Sequence, residues 1–408
     1  YVESSPDHSA SAKGDLRMLN VEGEPIYDGK LEQIKGRGNS TWQLADKKPY
    51  QIKLKKKTDL LESGDVSNKN KTWVLLAKAF NGSSMRNMIS CSLARDIGVK
   101  SSVEFRPVDL YYDGEYRGTY LLTEKVQINA GRVDIANLEE ENEEVNEDEP
   151  VTRDVEGLNS YGHPMKYTEG LKSPSDISGG YLIELDGRYA DERSWFSVGT
   201  QWGPAYFVCK SPEGWTYEEA NYLSCYVQDA FDAMANGGRN PRTGKTTGDY
   251  IDIDSFTSLY WVNEITKNRD GFMFSSTYAY KDSGASGSDS RLVFGPAWDF
   301  DLSLGSLSSP TGEPTSWVTD PTGWYTRATG IAPLFMRDPL VLKTVNVARD
   351  DVVAASKDYL VAELSNQRKA VESSMRLNSV VWGSSGESCD DVVRWLDQRL
   401  DWLSNVRL

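Results

Sequence analysis

Long hydrophobic runs are absent from this chain, and with them any stretch of the roughly 18 apolar residues that a membrane-spanning helix requires. Histidine is nearly absent too, with two in 408 residues. The four cysteines, Cys91, Cys209, Cys225 and Cys389, show neither a C-x-x-C pair nor metal-ligand spacing, so zinc chemistry is not expected. Cys209 and Cys225 are a candidate disulfide if the chain is exported, with free buried thiols as the alternative. Positive charge is in deficit: 45 Lys and Arg against 61 Asp and Glu leave a net charge of −16. Such a balance disfavours nucleic acid, whose affinity comes from neutralising phosphates, and favours basic partners.

What is present is aromatic and long. Twelve Trp and 21 Tyr in a chain that is 38% hydrophobic describe a globular protein, and 408 residues exceed the size at which one core keeps growing, so two lobes are predicted. Tyr1 in place of Met reads as a processed start. Charge is clustered in a basic island, KKPYQIKLKKK (47–57), and an acidic run, LEEENEEVNEDEP (138–150), read as a solvated strand face and a mobile loop.

Hydrophobic periodicity assigns the elements. Residues 50–57 alternate with period two, placing Ile52 and Leu54 opposite Gln51 and Lys53. Residues 83–98 open on serine, carry Met85, Ile89 or Met88, Leu93 and Ile97 at helical spacing and stop at Gly98. Residues 103–126 are a hairpin turning at Asp113-Gly114. Helices follow over 216–236, from a Thr cap, and over 252–271, then a second hairpin ending in RLVFGPAWDFD. The chain from Asp338 on reads as mainly helical. These signals predict an α+β architecture: a strand-rich lobe over 1–130, an acidic inserted loop over 131–178, and a larger, mainly helical lobe over 179–408, with a cleft between the lobes.

Three groups of residues carry chemistry. KGRGNSTW (35–42) places Gly36 and Gly38 around Arg37, followed by Asn39, Ser40 and Thr41; a glycine pair serves either a phosphate-cradling loop or a tight turn. Lys53 follows on the adjoining strand, the order in which a glycine turn and a lysine face phosphates in kinases, although it is one of six lysines between 47 and 57. Asp270, at a helix end, and Asp299 and Asp301, beyond a strand end, are joined by one hairpin and should arrive at one edge. Clustered carboxylates call for a shared cation, and hard oxygen ligands suit Mg²⁺ or Mn²⁺ with a nucleotide phosphate. Turn formation is the alternative for Asp299. Asn263 and Glu264 read equally as satisfied buried polar residues, and Asn268 is a candidate through its proximity to Asp270.

KGRGNSTW, KKPYQIKL, WVLLA with SSMRN, VDLYYDGEYRGTYLLTEKV, GGYLIELD, KSPEG, WVNEITKNRDGFMFSSTYAYKD and FGPAWDFDLSLG stand in the order found in the spore-coat protein H (CotH) kinase family, which the chain resembles from about residue 31 to about residue 305. The resemblance implies an atypical, secreted protein-kinase-like fold that transfers the γ-phosphoryl of ATP, with Mg²⁺ or Mn²⁺, to Ser or another hydroxyl of a basic, Ser-rich protein. By position it implies Asp270 as the residue orienting the acceptor hydroxyl. Asp299 and Asp301 become metal ligands, Lys53 a phosphate contact, and the segment around Glu124 the linker meeting adenine. Gly36, Arg37, Gly38, Ser40 and Asn268 complete the implied nucleotide site. It further implies an extracellular or cell-surface location, in a spore coat or secreted complex with further surface partners. A non-catalytic scaffold of the same fold, binding protein or carbohydrate through Trp195, Trp202, Trp215, Trp317, Trp324 and Tyr325, is the alternative.

Overall fold

Alternation in the first 58 residues becomes three antiparallel strands, β1 (Ser11–Leu19), β2 (Pro25–Gly36) and β3 (Tyr50–Thr58), with the short helix α1 (Ser40–Leu44) between the last two. Then come β4 (Asn70–Leu76), helix α2 (Met85–Asp96), β5 (Phe105–Tyr112) and β6 (Glu115–Glu124). The six strands form one antiparallel sheet in the order β1-β2-β3-β4-β6-β5. The computed structural model describes residues 2–77, 85–148, 150–269, 271–272, 275–284, 287, 289–306, 319–383 and 388–406. Asp113 and Gly114 both have positive φ, the conformation the β5–β6 turn requires.

The segment read as an acidic loop is instead ordered into elements. Helix α3 (Leu138–Val145) and the hairpin β7 (Arg153–Leu158) and β8 (Pro164–Glu169) lie within it. The side chain of Asn137 caps α3, whose first turn carries Glu139, Glu140 and Glu141 where the helix dipole favours negative charge. β7 is an edge strand of polar character, while β8 buries Met165 in the large core with Tyr167 packed against it.

The lobe expected to be mainly helical also holds a second antiparallel sheet, running β13-β12-β9-β11-β10-β8-β7. Its remaining strands are β9 (Tyr181–Leu185), β10 (Trp195–Thr200), β11 (Gly203–Ser211), β12 (Thr277–Lys281) and β13 (Leu292–Phe294). Helices α4 (Tyr217–Ala235), α5 (Thr247–Tyr250) and α6 (Ile253–Thr266) interrupt it. Helices dominate only beyond it, as α7 (Ala332–Phe335), α8 (Pro339–Ala362), α9 (Leu364–Trp382) and α10 (Cys389–Asn405).

Two main cores follow. The first sheet closes over Ile52, Leu54, Trp73, Leu75 and Tyr120. The larger core joins the second sheet to α4, α6 and α8, and it also takes Met88, Ile89 and Leu93 of α2. Helix α2, between strands of the first sheet in sequence, thus packs with the second core, which explains why it is buried on nearly every side. All four cysteines are free thiols. Among the described residues no helix is long and apolar enough to cross a membrane.

Candidate active site

A cleft of about 630 Å³ opens between the two sheets. Period two decides which residues of the first sheet reach it. On β4, Trp73 and Leu75 enter the core while Val74 and Leu76 face the cleft. The same alternation on β6 sends Tyr120 and Leu122 inward and Thr123, followed by Lys125, to the cleft. With Val103, Phe105, Cys91 and Val126 these residues make a largely apolar wall. Burial pushes the Cys91 thiol up to about 12, so it is a packing group here.

The whole glycine turn lines the cleft, from Lys35 through Gly36, Arg37, Gly38, Asn39 and Ser40 to Thr41. Gly36 is fixed by packing, since a β-carbon there would enter the ring of Trp42, and Gly38 by its φ of +79°. Between them Arg37 lies half-buried with its guanidinium 5.5 Å from the centre of the Trp298 ring. Among the described residues this guanidinium has no hydrogen-bond or ion-pair partner. Burial lowers its pKa, and Tyr278, Asp299, Asp301 and Glu184 work in the opposite direction.

Lys53 is not brought to the cleft. Lys35 pairs with Gln51 across the β2–β3 ladder and both line it. Lys53, on the same face as Gln51, lies two residues further along, about 7 Å beyond. There it is exposed, with Nζ 4.0 Å from Glu32. Glu124 is likewise on the far side of its strand: its carboxylate accepts from the Glu104 N–H at 2.9 Å and stands 3.8 Å from Arg132. Burial raises its pKa.

The opposite wall comes from the segment between α6 and α7. Asp299 and Asp301 both line the cleft, beside Ser276, Glu184 and Arg269. They do not continue a strand, because β13 ends at Phe294 and Asp299 adopts φ +63°. Different partners hold the two carboxylates: Ser276 Oγ donates to Asp299 at 3.1 Å, and Asn87 Nδ2 of α2 donates to Asp301 at 2.5 Å. The Asn87 carbonyl also accepts from the Phe300 N–H at 2.9 Å, so one amide fixes this turn from the side. Arg86 donates to the Ser303 carbonyl at 2.8 Å. Asn268 is buried outside the cleft lining and donates to the Asn263 side chain and the Asp299 carbonyl, each at 3.1 Å. Asp270 lies outside the described residues; Arg269 before it lines the cleft.

Of nine described non-glycine residues with positive φ, five fall in this stretch: Lys267, Phe272, Ser276, Asp299 and Leu304. Backbone strain of this kind persists only where the surroundings over-determine it, and it concentrates at functional sites. Electrostatics agree. Burial raises the Asp299 pKa against the pull of Ser276, Arg37 and Arg188. It pushes Glu184 up to about 7 although Lys210 stands 3.6 Å away, and it raises Asp186 as well. Lys125 is lowered by desolvation and by Lys35.

No three His, Cys, Asp or Glu side chains among the described residues are grouped to hold a metal ion. Mg²⁺ bound with a nucleotide needs less, commonly one or two carboxylates with phosphate oxygens completing the shell. Asp299 and Asp301 meet that reduced requirement, and a cation would relieve the desolvated carboxylate of Asp299.

Arg37, Asn87, Ser276, Glu184 and Lys210 converge on this space; of these the sequence reading singled out only Arg37 as a ligand contact. Asn87 and Arg86 belong to SSMRN, one of the segments that carry the resemblance, and both make helix-to-loop contacts. Glu184, Lys210 and Ser276 lie within GGYLIELD, KSPEG and WVNEITKNRDGFMFSSTYAYKD, segments that carry the resemblance, but no local pattern marks them as cleft residues.

The chain is α+β, with an apolar cleft wall, two aspartates opposite, and a glycine turn whose arginine is unpaired among the described residues. The family described as CotH kinase protein matches residues 34–403, nearly the whole length, and the chain belongs to that family. No curated protein matches the chain.

Proposed function

We propose that this protein is an ATP-dependent kinase that transfers the γ-phosphoryl group to Ser, or to another hydroxyl, of secreted or surface proteins. The observation that carries the reading is Arg37: a half-buried guanidinium without a hydrogen-bonding partner among the described residues, facing Asp299 and Asp301 across the cleft. A cation so placed is unfavourable until an anion joins it, and phosphate oxygens match its planar donors.

The apolar wall of Val74, Leu76, Phe105 and Val126 takes the base, with the chain around Glu124 forming the linker beside it. Gly36, Gly38 and Ser40 shape the turn over the phosphates. Arg37 is the principal phosphate contact, with Lys35, Lys125 and Lys210 adding charge, and Lys53 acts at long range from the rim. Asp299 and Asp301 hold Mg²⁺ or Mn²⁺, which when bound offsets phosphate charge. Asn268 and Asn87 brace the two aspartates. Asp270 receives and aligns the acceptor hydroxyl, so catalysis consists of positioning and electrostatic stabilisation. The acidic surface favours basic, Ser-rich acceptors. A secreted or cell-surface setting, as in a spore coat, follows from the family resemblance.

The test is phosphoryl transfer from ATP with Mn²⁺ or Mg²⁺ to a basic Ser-containing peptide, paired with thermal stabilisation by ATP and metal. Asp270→Ala should lose transfer and keep the stabilisation, while Asp299→Ala should lose both. Full transfer in both variants would overturn the mechanism. Absence of any stabilisation of the unmodified protein would favour a non-catalytic scaffold.

A further inference from the structure

A second cavity of about 250 Å³ adjoins the cleft, and the two share Asp186. Its walls are Leu185 at the end of β9, Tyr206 of β11, Trp202 in the β10–β11 turn, and Ile331 and Leu334 around α7. The Ile331 N–H donates to the Phe272 carbonyl at 3.0 Å, so this wall is fastened to the chain just after the Asp270 position. Trp202 is 55% exposed at the rim, with Arg337 5.3 Å from its ring centre.

Asp186 supplies the independent sign of a ligand. It is only 7% exposed, its Oδ1 accepts from the Arg188 N–H at 2.9 Å, and among the described residues its Oδ2 has no hydrogen-bond or ion-pair partner. A nearly buried carboxylate oxygen left open toward two cavities awaits a donor.

We propose that this smaller cavity is an anchor site for the acceptor polypeptide, taking one apolar side chain close to the acceptor hydroxyl while Asp186 Oδ2 receives an N–H of the same segment. The inference rests on the kinase reading for the identity of the occupant. A sugar is the poorer fit, because the walls are mostly apolar whereas a hexose presents several hydroxyls. The volume suits a single Leu- or Phe-sized side chain, and the shared residue makes the cavity continuous with the space where transfer would occur.

The experiment uses fluorescein-labelled, Ser-centred peptide pools in which one flanking position at a time is fixed as Leu, Phe, Lys or Ala. Binding is read by anisotropy on the full chain and on the Trp202→Ala and Leu334→Arg variants. At one flanking position Leu or Phe should bind about tenfold tighter than Ala, the scale for burying one large apolar side chain. Both variants should abolish that preference while ATP-and-Mn²⁺ stabilisation is unchanged. Leu334 is buried, so if its replacement prevents folding the exposed Trp202→Ala decides. Equal affinity for Leu, Phe and Ala at every position, or a preference surviving Trp202→Ala, overturns the proposal. Because binding is read without transfer, a chain that keeps the apolar preference yet transfers no phosphoryl group would sink the kinase reading and leave the anchor site standing.

Discussion

Arg399 and Arg37 both rest on tryptophan rings and differ in the partners of their guanidinium groups. Arg399, in α10, is fully buried 4.9 Å from the Trp402 ring centre. Both its terminal nitrogens are occupied, one by the Pro321 and Gly323 carbonyls at 2.9 and 2.7 Å, the other by the Glu264 carbonyl and carboxylate at 2.9 and 2.7 Å. Glu264 in turn accepts from the Tyr325 and Arg327 N–H groups at 2.8 and 3.1 Å. Arg37 sits on Trp298 with none of these bonds among the described residues. The contrast separates a guanidinium whose terminal nitrogens are bonded within the protein from one without such bonds among the described residues. In Arg399 the Nε alone has no partner among the described residues, and the Arg399–Glu264 pair ties the last turn of α6, just before Asn268 and Asp270, to α10 and to the 320–327 segment.

Removing one side of the Arg399–Glu264 pair should give the largest effect. Arg399→Met leaves Glu264 buried and uncompensated, and a loss of about 3–5 kcal/mol of stability is expected. A urea midpoint close to that of the unmodified protein would show that the pair contributes little. Arg37→Ala should do the reverse: unfolding within about 0.5 kcal/mol of the parent, because no internal bond is lost, but ATP binding weakened roughly 10-fold or more. Isothermal titration with a nucleotide and Mn²⁺ separates the two. A destabilised Arg37→Ala with unaltered nucleotide affinity would erase the distinction.

The contrast also marks how far sequence reasoning reaches. Local signals were legible: Asp113-Gly114 places the β5–β6 turn, and Thr216 with Glu219 forms the capping box that begins α4. The family membership and the α+β class were legible as well, from ordered motifs and mixed periodicity. What failed was of two kinds. Helix α3 buries Leu138 and Asn142 alone and so shows no period, and β8 carries its alternation in only two apolar residues, Met165 and Tyr167. Long-range complementarity is invisible for a different reason. Glu264 and Arg399 lie 135 residues apart, and neither neighbourhood names the other. Alternation correctly put Lys53 on the face of Gln51, but it carries no information on where a cleft ends, and that decided between Lys35 and Lys53.

Carboxyls extend the comparison. Glu264 has a cation, whereas Glu219, equally buried, has none: its Oε2 accepts from the Thr216 N–H and Asn142 at 2.9 and 3.2 Å, and its Oε1 is unpartnered. Burial pushes Glu219 up to about 7. A carboxyl whose folded pKa lies above its unfolded value binds its proton more tightly in the folded state. Its contribution is therefore full at acid pH and declines as pH rises from the ordinary glutamate range to about 7. Raising the pH from about 5 to about 7 should cost on the order of 1 kcal/mol through this group, and Glu219→Gln should flatten that slope. An unchanged slope in the variant would assign the dependence elsewhere, with Glu184, also pushed up to about 7, the next group to replace.

The smallest expected effect is the sharpest test of the cleft boundary. Lys53 has an exposed ammonium 4.0 Å from Glu32, and Glu32 also has Lys71 at 3.5 Å, so loss of Lys53 leaves that carboxylate partnered. Surface pairs of this kind contribute about 0–1 kcal/mol, and screening by salt reduces them further. Lys53→Ala should change stability by less than about 0.5 kcal/mol and nucleotide affinity by less than about threefold, with the difference vanishing at high salt. If it matched Arg37→Ala in a titration at physiological salt, the phosphate site would have to extend two residues further along β3 than the cleft does. The order of a glycine turn and a strand lysine would then outweigh the placement of the half-buried Arg37 guanidinium.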